Sequence, residues 1–204
     1  MKKYFILLAG SPGTGKTYLM NKLRERFPDM YALTLDEIKE YYADSIGFDN
    51  LEERAKQERI KVYPFYYKAL ELYMEAGKQV VVSEYPFSDK QKDRLRELAE
   101  TYEYEVITIR LTADFEVLWE RRYNRDREHE RHLSYIMDHY HYGDVLEDRT
   151  LATNHITKEA FKKIITDRKY DEFVLGTLYE FDVTDYDQVD YVPLLDRLVQ
   201  QIKY

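Results

Sequence analysis

The run Gly10-Ser11-Pro12-Gly13-Thr14-Gly15-Lys16-Thr17 puts an amine and a hydroxyl behind a turn that holds three glycines in eight residues. Its spacing, G-x-x-x-x-G-K-T, is that of the phosphate-binding P-loop. Glycines let the backbone curl until successive N–H groups face inward, and such a concave run of donors holds phosphate oxygens. On this reading Gly10, Ser11, Gly13, Thr14 and Gly15 form the cradle. A helix opening near Lys16 adds the partial positive charge of its N-terminus. Lys16 reaches the β- and γ-phosphates and the Thr17 hydroxyl ligates Mg²⁺. The chemistry expected is the binding of a nucleoside triphosphate with its magnesium ion.

The elements around this run are those that position such a loop. Tyr4-Phe5-Ile6-Leu7-Leu8-Ala9 reads as a buried strand running into the turn. Leu19, Met20, Leu23 and Phe27 then recur at helical spacing. A second strand is expected over 31–35, ending at Asp36, and a third over 79–83, ending at Glu84. Residues 104–111 and 179–183 supply a fourth and a fifth. Helices are expected over 51–76, where Pro64 marks a kink or a boundary, over 89–102 behind a Ser88 cap, and from about 114. Further helices are expected over 132–142, 157–168 and 192–202. Strands alternating with helices predict an α/β fold, a parallel five-stranded sheet covered on both faces. Ligands of such sheets sit at the carboxyl ends of the strands, so the P-loop, Asp36 and Glu84 are expected in one crevice.

The 204 residues suit a single domain, 1–204. No apolar run reaches the ~18 residues of a membrane span, and the N-terminal run lacks a signal-peptide pattern. With no cysteine, disulfides and thiolate metal sites are excluded, and a cytoplasmic location with no membrane contact is expected. A net charge of −8 argues against a general nucleic-acid binder. The 21 tyrosines are expected as half-buried core residues, with a few facing a substrate pocket. His129, His132, His139 and His141 cluster in sequence but match no zinc spacing.

With GSPGTGKT, the strand-end acids of LTLDEIK and VVVSE, and the arginine-rich ERRYNRDR in that order, the chain resembles the P-loop small-molecule and nucleotide kinases. The resemblance is to predicted kinases similar to polynucleotide kinase, to zeta-toxin-like kinases and to gluconate kinases, and covers residues 4 to about 127. It implies a three-layer α/β/α fold with sheet order 2-3-1-4-5 and a helical lid over about 121–170. It also implies transfer of the γ-phosphate of ATP to a hydroxyl or phosphate of a small-molecule or nucleotide acceptor. Asp36 then orients the acceptor hydroxyl and takes its proton, although an Asp there also serves as a helix N-cap. Glu84 holds Mg²⁺ through water together with Thr17, or acts as the base itself. Arg121 and Arg125, one helical turn apart, stabilise the charge on the transferred group, unless the run is only a solvated helix face. Arg122 and Arg127 are the alternates, and Ser83 is a further phosphate contact. A hydrolytic or regulatory ATPase, a polynucleotide 5′-hydroxyl kinase and a toxin-type kinase acting on a nucleotide sugar are the other readings. A GTPase is disfavoured because no N-K-x-D signature occurs. The acceptor is expected to be set by residues 41–73 and 128–170.

Overall fold

A computed structural model describes residues 2–203 of the chain. At its centre is β1 (Lys3–Gly10), whose side chains are buried on both faces as a central parallel strand requires. Tyr4, Ile6 and Leu8 pack into one apolar layer, and Phe5, Leu7 and Ala9 into the other. β2 (Tyr31–Thr34), β3 (Val80–Glu84), β4 (Tyr104–Thr112) and β5 (Thr177–Asp182) complete a sheet ordered β2-β3-β1-β4-β5, every pairing parallel. The expected sheet order is therefore the observed one. The order reverses at β1, so the loops leaving β1 and β3 open onto a crevice at their carboxyl ends.

The first layer is closed by α1 (Lys16–Arg26) and α8 (Val192–Lys203), through Leu19, Leu23, Leu194 and Leu198. The second is closed by α4 (Tyr63–Glu75) and α5 (Asp89–Thr101), through Tyr66, Leu70, Leu95 and Leu98. Ser88 and Gln91 form a reciprocal capping box that starts α5. Between β2 and α4 the chain runs as α2 (Leu35–Ile46), α3 (Leu51–Gln57) and a π-helical turn, Glu58–Val62. Pro64 explains that turn. It has no N–H to donate, and its ring would press on a carbonyl one α-turn back. The backbone widens just before it, Tyr63 N–H reaching the Glu58 carbonyl, and helical dihedrals continue into α4.

After β4 come α6 (Phe115–Arg125) and α7 (Lys158–Arg168), which meet through Phe115, Trp119 and Phe161. The helix expected over 132–142 does not form. One 3₁₀ turn, Leu133–Tyr135, stands there, with His132 accepting from Ser134 N–H. Beyond it the backbone pairs with other segments: Asn154 N–H donates to the Ile136 carbonyl, and Phe48 and Tyr140 exchange both backbone bonds at 2.8 Å. The apolar spacing that suggested a helix serves a small separate core instead, in which Leu133, Ile136 and Tyr140 close over Ala43 and Phe48. Residues 133–140 are thereby fastened to the end of α2. Among the described residues, no helix is long and apolar enough to cross a membrane.

Because so few side chains hold that contact, Phe48→Ala is expected to cost about 3 kcal/mol of stability. Urea unfolding measures the loss, and amide exchange should quicken selectively across 133–140.

Candidate active site

Gly10 ends β1 with φ +132°, and a β-carbon there would lie 2.2 Å from the Leu111 carbonyl of β4. Only glycine lets the loop leave the sheet that close to its neighbour. The loop then folds over its own lysine. Lys16 Nζ donates to the carbonyls of Gly10 and Ser11, both at 3.0 Å, and the residue is 7% exposed. Among the described residues, no carboxylate bonds it directly. Burial lowers Lys16 from its ordinary 10.5 to about 8, against the opposing pull of Glu84 and Asp36.

Thr17, one residue further along α1, donates its hydroxyl to Glu84 Oε1 at 2.6 Å. Glu84 closes β3 and is buried, and its Oε2 has no hydrogen-bond partner among the described residues. Burial raises the Glu84 pKa, while Lys16 and the Thr17 bond pull it back. A hydroxyl and an orphaned carboxylate oxygen side by side form an all-oxygen donor set, which suits a hard, partly hydrated cation such as Mg²⁺.

These groups line one end of a cavity of about 610 Å³. Asp36 lines it too, one residue later than expected relative to its strand: Thr34 occupies the N-cap and Asp36 lies in the first turn of α2. It is therefore not the cap. Its carboxylate accepts no hydrogen bond from the described residues, while its carbonyl accepts one from the Tyr135 hydroxyl at 3.1 Å.

Arg121 and Arg125 both line the cavity, from the face of α6 that meets the P-loop, yet they stand differently. Arg121 is committed. It donates to the carbonyls of Gly13, Val183 and Thr184 and stacks 3.6 Å over the Tyr186 ring, whose hydroxyl bonds the Gly13 carbonyl. Arg125 has a buried Nε without a hydrogen-bond partner among the described residues, and burial, then Arg122, pull its pKa below the ordinary arginine value. Of the alternates, Arg122 also reaches the cavity and pairs with Asp126 at 2.6 Å, while Arg127 stacks on Tyr123.

Ser83 is not a phosphate contact. It is fully buried, bonded to the Tyr66 hydroxyl and the Leu33 carbonyl. Three of the four clustered histidines face carboxylates: His132 bonds Asp44, His139 bonds Asp138, and His141 lies 3.4 Å from Asp49.

Sequence reasoning missed Lys39, Arg54, Arg131, Tyr85, Tyr135 and Tyr186, all of which line the cavity. Arg54 and Arg131 fall within the two regions expected to set the acceptor, but no spacing singles them out. The lining holds seven cationic side chains and three carboxylates, in a chain whose net charge is −8. A surplus of that sign in a concave site favours a polyanionic ligand.

The family model described as an AAA domain matches residues 5–140. The chain belongs to this AAA domain family. None of the curated proteins matches it. Among solved structures it is similar to a presumed kinase of Chloroflexus aurantiacus, at 22% identity and a TM-score of 0.72, covering all of this chain and 98% of the other. A gluconokinase of Sinorhizobium meliloti aligns at 14% identity and a TM-score of 0.56, over 98% and 95% of the two chains. A tunicamycin resistance protein of Deinococcus radiodurans aligns at 16% and 0.55, over 98% and 96%. These likenesses show the fold, which this chain shares with all three over nearly its whole length.

The buried Lys16 would make binding of any polyanion in this loop proton-linked. A bound polyanion stabilises the ammonium and raises its pKa above about 8. Binding of a non-hydrolysable ATP analogue should take up about 0.7 proton at pH 8.5 and only about 0.1 at pH 7, by linkage. Calorimetry in buffers of different ionisation enthalpy measures the uptake, which should vanish in Lys16→Met. In the free protein, the unfolded chain keeps the Lys16 proton between pH 8 and 10.5 while the folded chain sheds it. This group's contribution to stability therefore rises with pH across that window and is most unfavourable below it.

Proposed function

We propose that the protein is an ATP-dependent phosphotransferase which moves the γ-phosphoryl group to a hydroxyl of a small-molecule acceptor. One observation carries the reading: a carboxylate without a hydrogen-bond partner, Asp36, shares a cavity of about 610 Å³ with the P-loop, leaving room beyond the phosphate cradle for a second substrate. The loop amides and Lys16 hold the β- and γ-phosphates, and Thr17 with Glu84 holds Mg²⁺. Bound there, the ion neutralises charge developing on the phosphate oxygens.

Asp36 accepts the acceptor's proton as its oxygen forms a bond to the γ-phosphorus. The bond from that phosphorus to the β,γ-bridging oxygen breaks, and ADP leaves with the electron pair. Arg125, with donor capacity to spare, faces the equatorial oxygens of the group in transit. Arg121 acts by position, bracing α6 against the P-loop and the end of β5. Glu128, Arg131 and Tyr135, within the lid expected over 121–170, form the acceptor-side wall. Support comes from the family match and from kinase-named neighbours of the same fold.

Hydrolysis without an acceptor is the second reading, which the AAA description of the family favours. Separating the products of labelled ATP decides between the two, since transfer moves the label to an organic product once an acceptor is supplied and hydrolysis leaves it in inorganic phosphate.

Lys16→Ala is expected to reduce ATP turnover at least a thousandfold, and unchanged turnover would sink the mechanism. Asp36→Asn should bind nucleotide normally and lose 10²–10⁴-fold in transfer, the usual worth of a general base. Full transfer by Asp36→Asn would move the base to Glu84.

A further inference from the structure

The cavity has a second cationic region, built around Tyr135 on the side of Asp36. The Arg131 guanidinium lies 4.0 Å from the centre of the Tyr135 ring and that of Arg54 5.5 Å. Lys39, one helical turn after Asp36, donates to the Tyr85 hydroxyl at 3.2 Å. All three cations are largely withdrawn from solvent, with side chains 12%, 19% and 12% exposed for Arg131, Arg54 and Lys39.

Their carboxylate partners do not match them one for one. Lys39 and Arg54 share Glu58, at 3.2 and 3.0 Å. Arg122 and Arg131 share Asp126, at 2.6 and 3.0 Å. Each group of three therefore carries one positive charge in excess, and Arg131 Nε meets Asp126 without a well-directed hydrogen bond. Burial, then Arg125, pull the Arg131 pKa down to about 10, so it stays charged at neutral pH. Burial works against the Lys39 charge too, but Tyr85, Glu58 and Asp36 outweigh it. Glu40, on the same helix, is pushed toward its neutral form by burial. Excess buried charge is costly unless a ligand compensates it. The triphosphate has its own partner in Lys16 at the other end, and Arg125 stands between the two regions, close enough to act on both Lys16 and Arg131.

Resting on the proposed phosphotransferase reading, we infer that the acceptor carries an oxyanion group of its own, a phosphate ester or a carboxylate, held by Arg131, Arg54 and Lys39 while its hydroxyl meets Asp36. Planar guanidinium groups recognise either anion through paired N–H donors. An anchor at that end fixes the distance from anion to reacting hydroxyl, which selects against neutral polyols and against water.

The test titrates inorganic phosphate, and acetate in a parallel arm, into protein saturated with a non-hydrolysable ATP analogue and Mg²⁺. One saturable site is expected, weakened at least tenfold in Arg131→Gln and in Lys39→Met, with analogue affinity within twofold of the native value. Tighter binding of phosphate points to a phosphorylated acceptor, and tighter binding of acetate to a carboxylic acid. In the native chain, the bound anion should also slow modification of Arg131 by phenylglyoxal at least fivefold, a readout that needs no variant to fold. The inference is overturned if neither anion binds the loaded protein, or if binding is indifferent to both substitutions and leaves Arg131 unprotected. None of these readings requires phosphoryl transfer, so a failed transfer assay counts against the phosphotransferase reading alone.

Discussion

The ammonium of Lys16 is buried beneath its own loop with two backbone carbonyls as hydrogen-bond partners and no carboxylate in direct contact. Holding it charged there at neutral pH costs on the order of 3 kcal/mol, from its depressed pKa. The surrounding framework sustains that cost. β1, buried on both faces, delivers Gly10 against β4, and α1 begins at Lys16 itself, so the helix axis and the side chain are fixed together. Arg121 then closes the far side, since its three carbonyl contacts join α6, the P-loop and the end of β5.

The same economy governs the remaining cations. Two cations on one carboxylate keep each guanidinium or ammonium oriented while leaving net charge for a ligand. One carboxylate per cation would give a quieter but neutral cavity, and no carboxylate at all would leave the side chains unoriented and mutually repelled. Thr17 and Glu84 repeat the pattern with opposite sign: the hydroxyl orients one carboxylate oxygen and leaves the other bare. Partial satisfaction of this kind is a poor way to stabilise a fold and an effective way to prepare a site.

The donor end was legible because its chemistry is local. Eight consecutive residues hold the cradle, and the strands feeding it are apolar runs that nothing else in the chain imitates. The acids at 36 and 84 could be placed because the ends of parallel strands converge by topology alone. Lys39, Arg54 and Arg131 could not, since they meet across three separate segments and their convergence depends on packing between Phe48 and Tyr140. Leu133, Ile136 and Tyr140 misled for the same reason. Spacings of three and four residues suit a helix face, but here they suit an irregular segment whose backbone bonds go to 48 and 154. Ser83 misled because a polar residue at a strand end invites a ligand, whereas its hydroxyl is consumed by Tyr66 and Leu33 inside the core. Tyr186 gave no signal beyond being one of 21 tyrosines.

The two halves of the cavity rest on different parts of the chain. The phosphate cradle and its braces belong to β1, to α1 packed on the central sheet, and to α6 and the turn after β5, which Arg121 joins to the loop. The opposite wall belongs to α2, α3 and residues 128–135; α2 and the 133–152 segment share a minor core, and Arg54 of α3 donates to the Ser134 carbonyl. Asp36 lies where they join. Its helix springs from β2 of the sheet, while its carbonyl is held by Tyr135 of the outer wall. Changes in the outer wall can therefore alter what is presented to Asp36 without moving Lys16, Thr17 or Glu84. On the proposed reading, that separation lets one phosphate-binding framework serve different acceptors. It also explains why the cradle announces itself in the sequence while the acceptor wall becomes readable only after the chain has folded.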